Sequence, residues 1–195
     1  MSSRITVQDG PYAIHALKVQ GRFRARAFLK SRSVADGVGV SAEAAINDCR
    51  NQIETTRAER LANRREGIPT AAEYLDALAC FEDRISTAQR AMLVWHAAAP
   101  ERRATMKELA VAARYAGRDS AYLKYGEVGR WIGDLLSFPY ATRPDGTPIK
   151  ISSLAEGSGE GPEQEWVWVM HVELAEAVKL AGLLQESLAV TADHR

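Results

Sequence analysis

Between residues 22 and 29 cationic and apolar side chains alternate with a period of two, Arg22, Arg24 and Arg26 against Phe23, Ala25, Ala27 and Leu29. Only an extended strand sends successive side chains to opposite faces; a helix would spread both sets round its circumference. The alternation therefore demands a sheet with one wet face and one buried face. Continued past Phe28, the cationic row reads Arg22, Arg24, Arg26, Lys30 and Arg32. Gln20-Gly21 ahead of it is a two-residue turn signal, so residues 13–19 and 22–32 are predicted to pair as a β-hairpin. The next stretch, Ala35-Asp36-Gly37-Val38-Gly39-Val40, reads as a glycine-rich connector.

Helical periodicity takes over at Ser41, an N-cap residue, and a helix is predicted to about Arg65 with Ile46, Cys49, Ile53 and Leu61 as its apolar stripe. Arg57, Arg60, Arg64 and Arg65 load its end with positive charge, which suits the helix dipole. Gly67-Ile68-Pro69 stops it. Thr70 and Glu73 form a capping box for a second helix. Its stripe, Tyr74, Leu78, Phe81, Ile85, Ala88, Met92 and Trp95, steps by four and three, a heptad seam over residues 74–95. Packing against the preceding helix as an antiparallel hairpin is one expectation, and a homodimer through the seam from Tyr74 to Trp95 is the alternative.

Farther on, Thr105 and Glu108 cap a third helix over 106–115, and Ser120 starts a fourth that reaches Leu136 with Val128, Trp131, Ile132, Leu135 and Leu136 inward. Arg143-Pro144-Asp145-Gly146 is a turn. Residues 149–154 and 166–170 read as strands, 156–165 as a Gly/Glu-rich connector, and 172–184 as a closing helix with Leu174, Val178, Ala181 and Leu184 inward. The expected class is α+β, mostly helical, in three parts: a basic hairpin and helix (1–69), a heptad helix (70–98) and a C-terminal domain (99–195).

Composition narrows the function. The formal net charge is zero, yet residues 1–69 hold 12 Lys/Arg against 7 Asp/Glu, and residues 84–150 hold 11 against 6. The acidity gathers in 73–83 and from Glu156 to Glu186. Such a partition suits one electropositive face. No apolar run approaches the roughly 20 residues of a membrane span. The start at Met1-Ser2-Ser3-Arg4 lacks a secretory h-region, so a cytoplasmic location without membrane partners is expected. Two cysteines, Cys49 and Cys80, make neither a disulfide framework nor a zinc cage. The histidines stand alone and no Walker A, G-x-S-x-G or H-E-x-x-H motif occurs, so neither an enzyme nor a cofactor or metal site is expected.

The order helix, helix, turn, helix, two strands and helix over 86–184 is that of a winged helix-turn-helix, with 121–136 as the helix offered to a groove. Lys124, Tyr125 and Arg130 would be presented there, with Arg118 at the turn. The tract from about Met92 to Leu183 resembles a module of bacterial HNH-type restriction endonucleases. The resemblance is carried by His96-Ala97 with Pro100, by Thr105 with Glu108-Leu109-Ala110, by Tyr122-Leu123-Lys124-Tyr125-Gly126 with Gly129-Arg130, and by Trp166, Trp168 and Met170 followed by Glu173-Leu174-Ala175. It covers about half the chain, and the nuclease's paired histidines are missing. The resemblance implies a winged-helix-like, DNA-engaging element in a restriction or phage-conflict setting.

Two functions follow. The first is non-enzymatic binding of nucleic acid, double-stranded DNA foremost, through Arg22, Arg24, Arg26, Lys30, Arg32, Arg64, Arg118, Lys124, Tyr125 and Arg130. The second is a protein-interaction inhibitor of a bacterial defence complex, of anti-CRISPR or anti-restriction type, whose cationic face would meet an acidic patch of its partner.

Overall fold

A computed structural model describes residues 4–159 and 166–182. The chain divides into two compact units, Met1–Arg64 and Arg65–Arg195, and is α+β throughout. Residues 70–98 fall within the second unit.

The first unit is a four-stranded antiparallel meander backed by one helix. Strands β1 (Ile5–Asp9), β2 (Tyr12–Val19), β3 (Arg22–Leu29) and β4 (Arg32–Gly39) pair in chain order. The predicted hairpin is β2–β3, turning at Gln20 and Gly21, both with positive φ. It has a neighbour on each side. Helix α1 (Ala42–Ala62) starts at Ser41, whose hydroxyl accepts the Ala44 N–H at 3.1 Å. It covers the helix-facing row Ile14, Ala16, Ala25, Ala27 and Ala35 with its own Ala45, Ile46 and Cys49, all buried. Leu61, expected in the stripe, is exposed.

The tract 35–40 is a strand rather than a connector. Its glycines answer to packing, not to a turn: a Cβ on Gly37 would collide with the Ala45 carbonyl oxygen and the Cys49 nitrogen, and one on Gly39 with the Ala45 nitrogen. Alanine and glycine on this row let α1 lie close on the sheet. α1 also dresses the β4 edge, since the Asp48 carboxylate accepts the Val38 N–H at 3.0 Å and Gln52 donates to the Asp36 carbonyl at 2.8 Å.

The second unit contains α2 (Ala71–Cys80), α3 (Thr87–Ala98), β5 (Arg103–Thr105), α4 (Met106–Ala112), α5 (Arg118–Leu136), β6 (Ala155–Ser158), β7 (Val167–Met170) and α6 (Val172–Leu180). The three short strands form an antiparallel sheet in the order β5-β7-β6. The expected heptad helix is two helices. Ser86 and Gln89 form a second capping box that restarts the chain as α3. Both halves of the stripe enter the unit's own core: Tyr74, Leu78, Ile85 and Met92 are buried among residues of α4, α5 and α6. That core, not a lengthwise seam, uses them.

Residues 150–153 form a 3-10 turn where a strand was expected, and the strand comes afterwards, as β6. The turn is pinned by its serines, because the Ser153 hydroxyl donates to the Gly129 carbonyl at 2.7 Å and His171 Nε2–H donates to the Ser152 carbonyl at 2.9 Å. Gly129 is needed there, since a Cβ would run into the Lys150 carbonyl. Residues 160–165 of the expected connector, and Leu184, lie outside the described residues. No helix among the described residues is long and apolar enough to cross a membrane.

Candidate nucleic-acid interface

The meander leaves one broad face open, since α1 occupies the other. β3 is central in the sheet, and its even-numbered residues stand on the open face. Register places Leu17 and Val38 beside Arg24, and His15 and Asp36 beside Arg26. Arg22, Arg24 and Arg26 are all exposed, in steps of roughly 6.8 Å, two residues of an antiparallel strand. The guanidiniums of Arg22 and Arg24 meet no carboxylate among the described residues. Arg26 does: its Nε donates to the Asp36 carboxylate at 2.6 Å, with side-chain exposures of 57% and 62%.

The upper end of the face is aromatic and hydroxylic. His15 and Phe28 stack tilted at 5.5 Å, and Thr6 shares a 3.0 Å hydrogen bond with His15 Nδ1. Leu17 at 40% exposure and Val38 at 47% flank the cationic row. The open face thus carries positive charge, aliphatic edges and one aromatic end. It can neutralise phosphates, touch base edges and accept a stacked ring.

Two of the five predicted cations leave this row. Lys30 sits in the β3–β4 turn with φ of 55°, where the chain reverses before the cationic row can continue. Arg32 opens β4 opposite Leu29, on the helix-facing side by register. Arg64 follows the C-cap of α1 and lies off the sheet altogether.

In the second unit, Tyr125 is not presented at all. It is fully buried, and its O–H donates at 2.8 Å to Nδ1 of His96, itself fully buried. The opposite ring nitrogen faces the Trp168 carbonyl at 3.0 Å. A carbonyl only accepts, so His96 carries its proton on Nε2 and takes the tyrosine hydroxyl on Nδ1. Burial pushes the His96 pKa down to about 4 and raises that of Tyr125, so both are neutral at pH 7. The pair ties α3, α5 and β7 together. Sequence spacing placed His96 at a helix end, and only the packing brings its partners to it.

The rest of the α5 set is electrostatically balanced. Lys124 binds Glu127 at 3.0 Å, Arg118 lies 3.6 Å from Asp119, and Arg130 is exposed one turn before Asp134. With three cations and three carboxylates over its length, α5 offers no strong positive field. The charge contrast belongs to β3.

Among the described residues no group of three or more His, Cys, Asp or Glu side chains could hold a metal ion. Cys49 is buried, its thiol pushed upward by desolvation, which makes it a packing residue. No family model, curated protein or solved structure matches the chain.

Proposed function

We propose that the protein binds double-stranded DNA without catalysis, using the open face of the meander as its principal contact. The observation that carries this reading is the row Arg22, Arg24 and Arg26 on a sheet face that α1 leaves uncovered, two of the three without a carboxylate partner among the described residues. Steps of roughly 6.8 Å along β3 equal about two rises of a DNA strand, so successive arginines can meet every second phosphate along it. Sheet readers of this kind lay strands in a groove. Leu17 and Val38 then lie where a thymine methyl can be touched, and Arg24 where guanine can be read.

The second unit is assigned a winged-helix-like arrangement, with α4 and α5 as the helical pair and β6–β7 as the wing. Its element order and the β5-β7-β6 sheet support the assignment. In this reading α5 contributes through Arg118 and Arg130, secondarily to the sheet. A cytoplasmic role in a bacterial restriction or counter-defence setting is the context that the resemblance implies.

The test is duplex affinity as a function of salt. The double variant Arg22→Ala/Arg24→Ala is expected to flatten the slope of log K against log salt by about 2, one for each phosphate no longer neutralised. An unchanged slope and affinity would remove the sheet from the interface. The exposed aliphatic pair Leu17 and Val38 beside Arg24 favours a second reading, inhibition of a bacterial defence complex by occupying an acidic protein patch. That reading predicts no duplex binding, and stoichiometric capture of one defence protein that the same double variant abolishes.

A further inference from the structure

A cleft of about 560 Å³ opens on the second unit between the first turns of α5, the loop 141–149 and β7. Three of its walls are aromatic. Trp168 is the floor, 4% exposed; Trp166 is 51% exposed and Tyr122 36%. The rings of Tyr122 and Trp168 lie 6.4 Å apart, and those of Trp166 and Trp168 6.2 Å, each pair tilted. They form an aromatic corner instead of stacking closed on one another. Such faces left open to solvent are unusual for side chains of this size and mark a binding surface.

Two guanidiniums border the same cleft. Arg143 is held by its own turn: it donates to Thr147 Oγ1 at 3.2 Å and to the Tyr122 hydroxyl. Gly146 N–H closes on the Arg143 carbonyl at 2.9 Å, and the Asp145 carboxylate takes both the N–H and the hydroxyl of Thr147. The guanidinium has five N–H donors, so these bonds leave others over. Arg118 supplies the second cation, 74% exposed at its side chain and 3.6 Å from Asp119.

The charge decides between occupants. An aromatic cage for a quaternary ammonium needs a net negative or neutral rim, because desolvated cations repel. Among the described residues that line the cleft, two guanidiniums outnumber one carboxylate, that of Asp119; the Asp145 carboxylate, which also feels Arg143, is turned to Thr147 and is not part of the lining. A ligand with a flat π-face and an anionic group meets both halves, and the volume suits one small molecule. We infer that this cleft takes one nucleotide, its unpaired base against Trp166 and Tyr122 and its phosphate at Arg143 and Arg118. The nucleotide comes either free or as an extruded member of a strand. The strand-borne case rests on the nucleic-acid reading above; the free case does not. Stacking of this type is tolerant of base identity, so the site discriminates unpaired from paired bases and not one base from another.

The full chain is titrated with adenosine 5′-monophosphate while tryptophan fluorescence is followed; two of its four tryptophans line the cleft. A parallel arm compares a duplex carrying one unpaired adenine with the same duplex fully paired. The expected result in at least one arm is saturable binding, or a preference for the unpaired base, of about tenfold. Trp166→Ala and Arg143→Gln remove it and Trp166→Phe keeps it. Ribose 5-phosphate, which lacks the base, fails to compete. Saturation by the monophosphate assigns the free nucleotide; preference confined to the duplex assigns the strand. Tetramethylammonium binding in place of the monophosphate, or an effect indifferent to Trp166→Ala with native circular dichroism, overturns the inference. Arg22→Ala/Arg24→Ala leaves the monophosphate arm untouched, so failure of the sheet interface and failure of the cleft give different patterns.

Discussion

The two units solve the problem of burying a sheet in opposite ways. In the first, the interface between sheet and helix is built from alanine and glycine with Ile14, Ile46 and Cys49 as its largest buried members. Little apolar area is hidden, but the helix comes close enough to satisfy the β4 edge with Asp48 and Gln52. In the second, large side chains dominate, Tyr74, Tyr125, Met92, Leu109, Ile132 and Trp168 among them. Their polar atoms force a buried network: Tyr74 donates to the Ser153 carbonyl, Ser153 to Gly129, and His96 joins Tyr125 to Trp168. A thin core of small residues tolerates no added volume, whereas a thick core with polar ties tolerates no added charge.

The largest expected effect tests the second half of that contrast. His96 is held near a pKa of about 4, while in the unfolded chain it titrates near 6.5. The unfolded state binds the proton first as pH falls, so the stability His96 confers is complete above pH 6.5 and drains away between 6.5 and about 4. The loss amounts to about 3 kcal/mol. Denaturant unfolding of the second unit, followed by amide exchange, is expected to show about 2 kcal/mol of this between pH 6.5 and 5, above the carboxylate range. In His96→Gln that leg is expected to vanish. A second unit equally stable at both pH values would break the comparison.

A smaller loss tests the first half. Gly37→Ala pushes a methyl into the Ala45 carbonyl and the Cys49 backbone and is expected to cost about 1–3 kcal/mol, through lifting α1 off the sheet. Gly117→Ala is the control for added bulk, since its Cβ meets nothing within 4 Å; it is expected to cost at most about 1 kcal/mol as a poorer N-cap of α5, and to leave β3 and β4 as they are. Exchange protection of β3 and β4 reads the difference, with the second unit unaffected by Gly37→Ala.

The smallest stability effect sharpens the functional side. Asp36→Asn removes the only carboxylate paired with the arginine row among the described residues. Both partners are more than half exposed, so folding stability is expected to shift by under about 1 kcal/mol. Duplex affinity is expected to rise instead, with the salt slope steepening by about 1 as Arg26 becomes available. A weaker duplex complex would show that Asp36 positions Arg26 and does not compete for it.

How far these features could be read in advance depended on whether their cause was local. The β2–β3 hairpin was legible because alternation and the Gln20-Gly21 turn are properties of a few adjacent residues. The capping boxes at Thr70 and Thr105 were legible for the same reason. The break between α2 and α3 was not, because six intervening residues kept the apolar stripe in phase and made two helices look like one. Gly37 and Gly39 looked like turn residues until a helix was found lying on them. Tyr125 looked like a contact residue because its burial depends on which side of α5 faces β7.

The amino-acid order alone therefore determined the cationic face of β3, the starts of α1, α2 and α4 and the overall α+β class, since backbone geometry and near-neighbour hydrogen bonds act over three or four residues; it set the start of α5 at Ser120, three residues past its N-cap Gly117. Tertiary structure decided which cations share a surface and which are neutralised, where glycine is compulsory and that His96 is uncharged. Those properties arise from desolvation and close approach between segments up to 72 positions apart, and no local pattern encodes them.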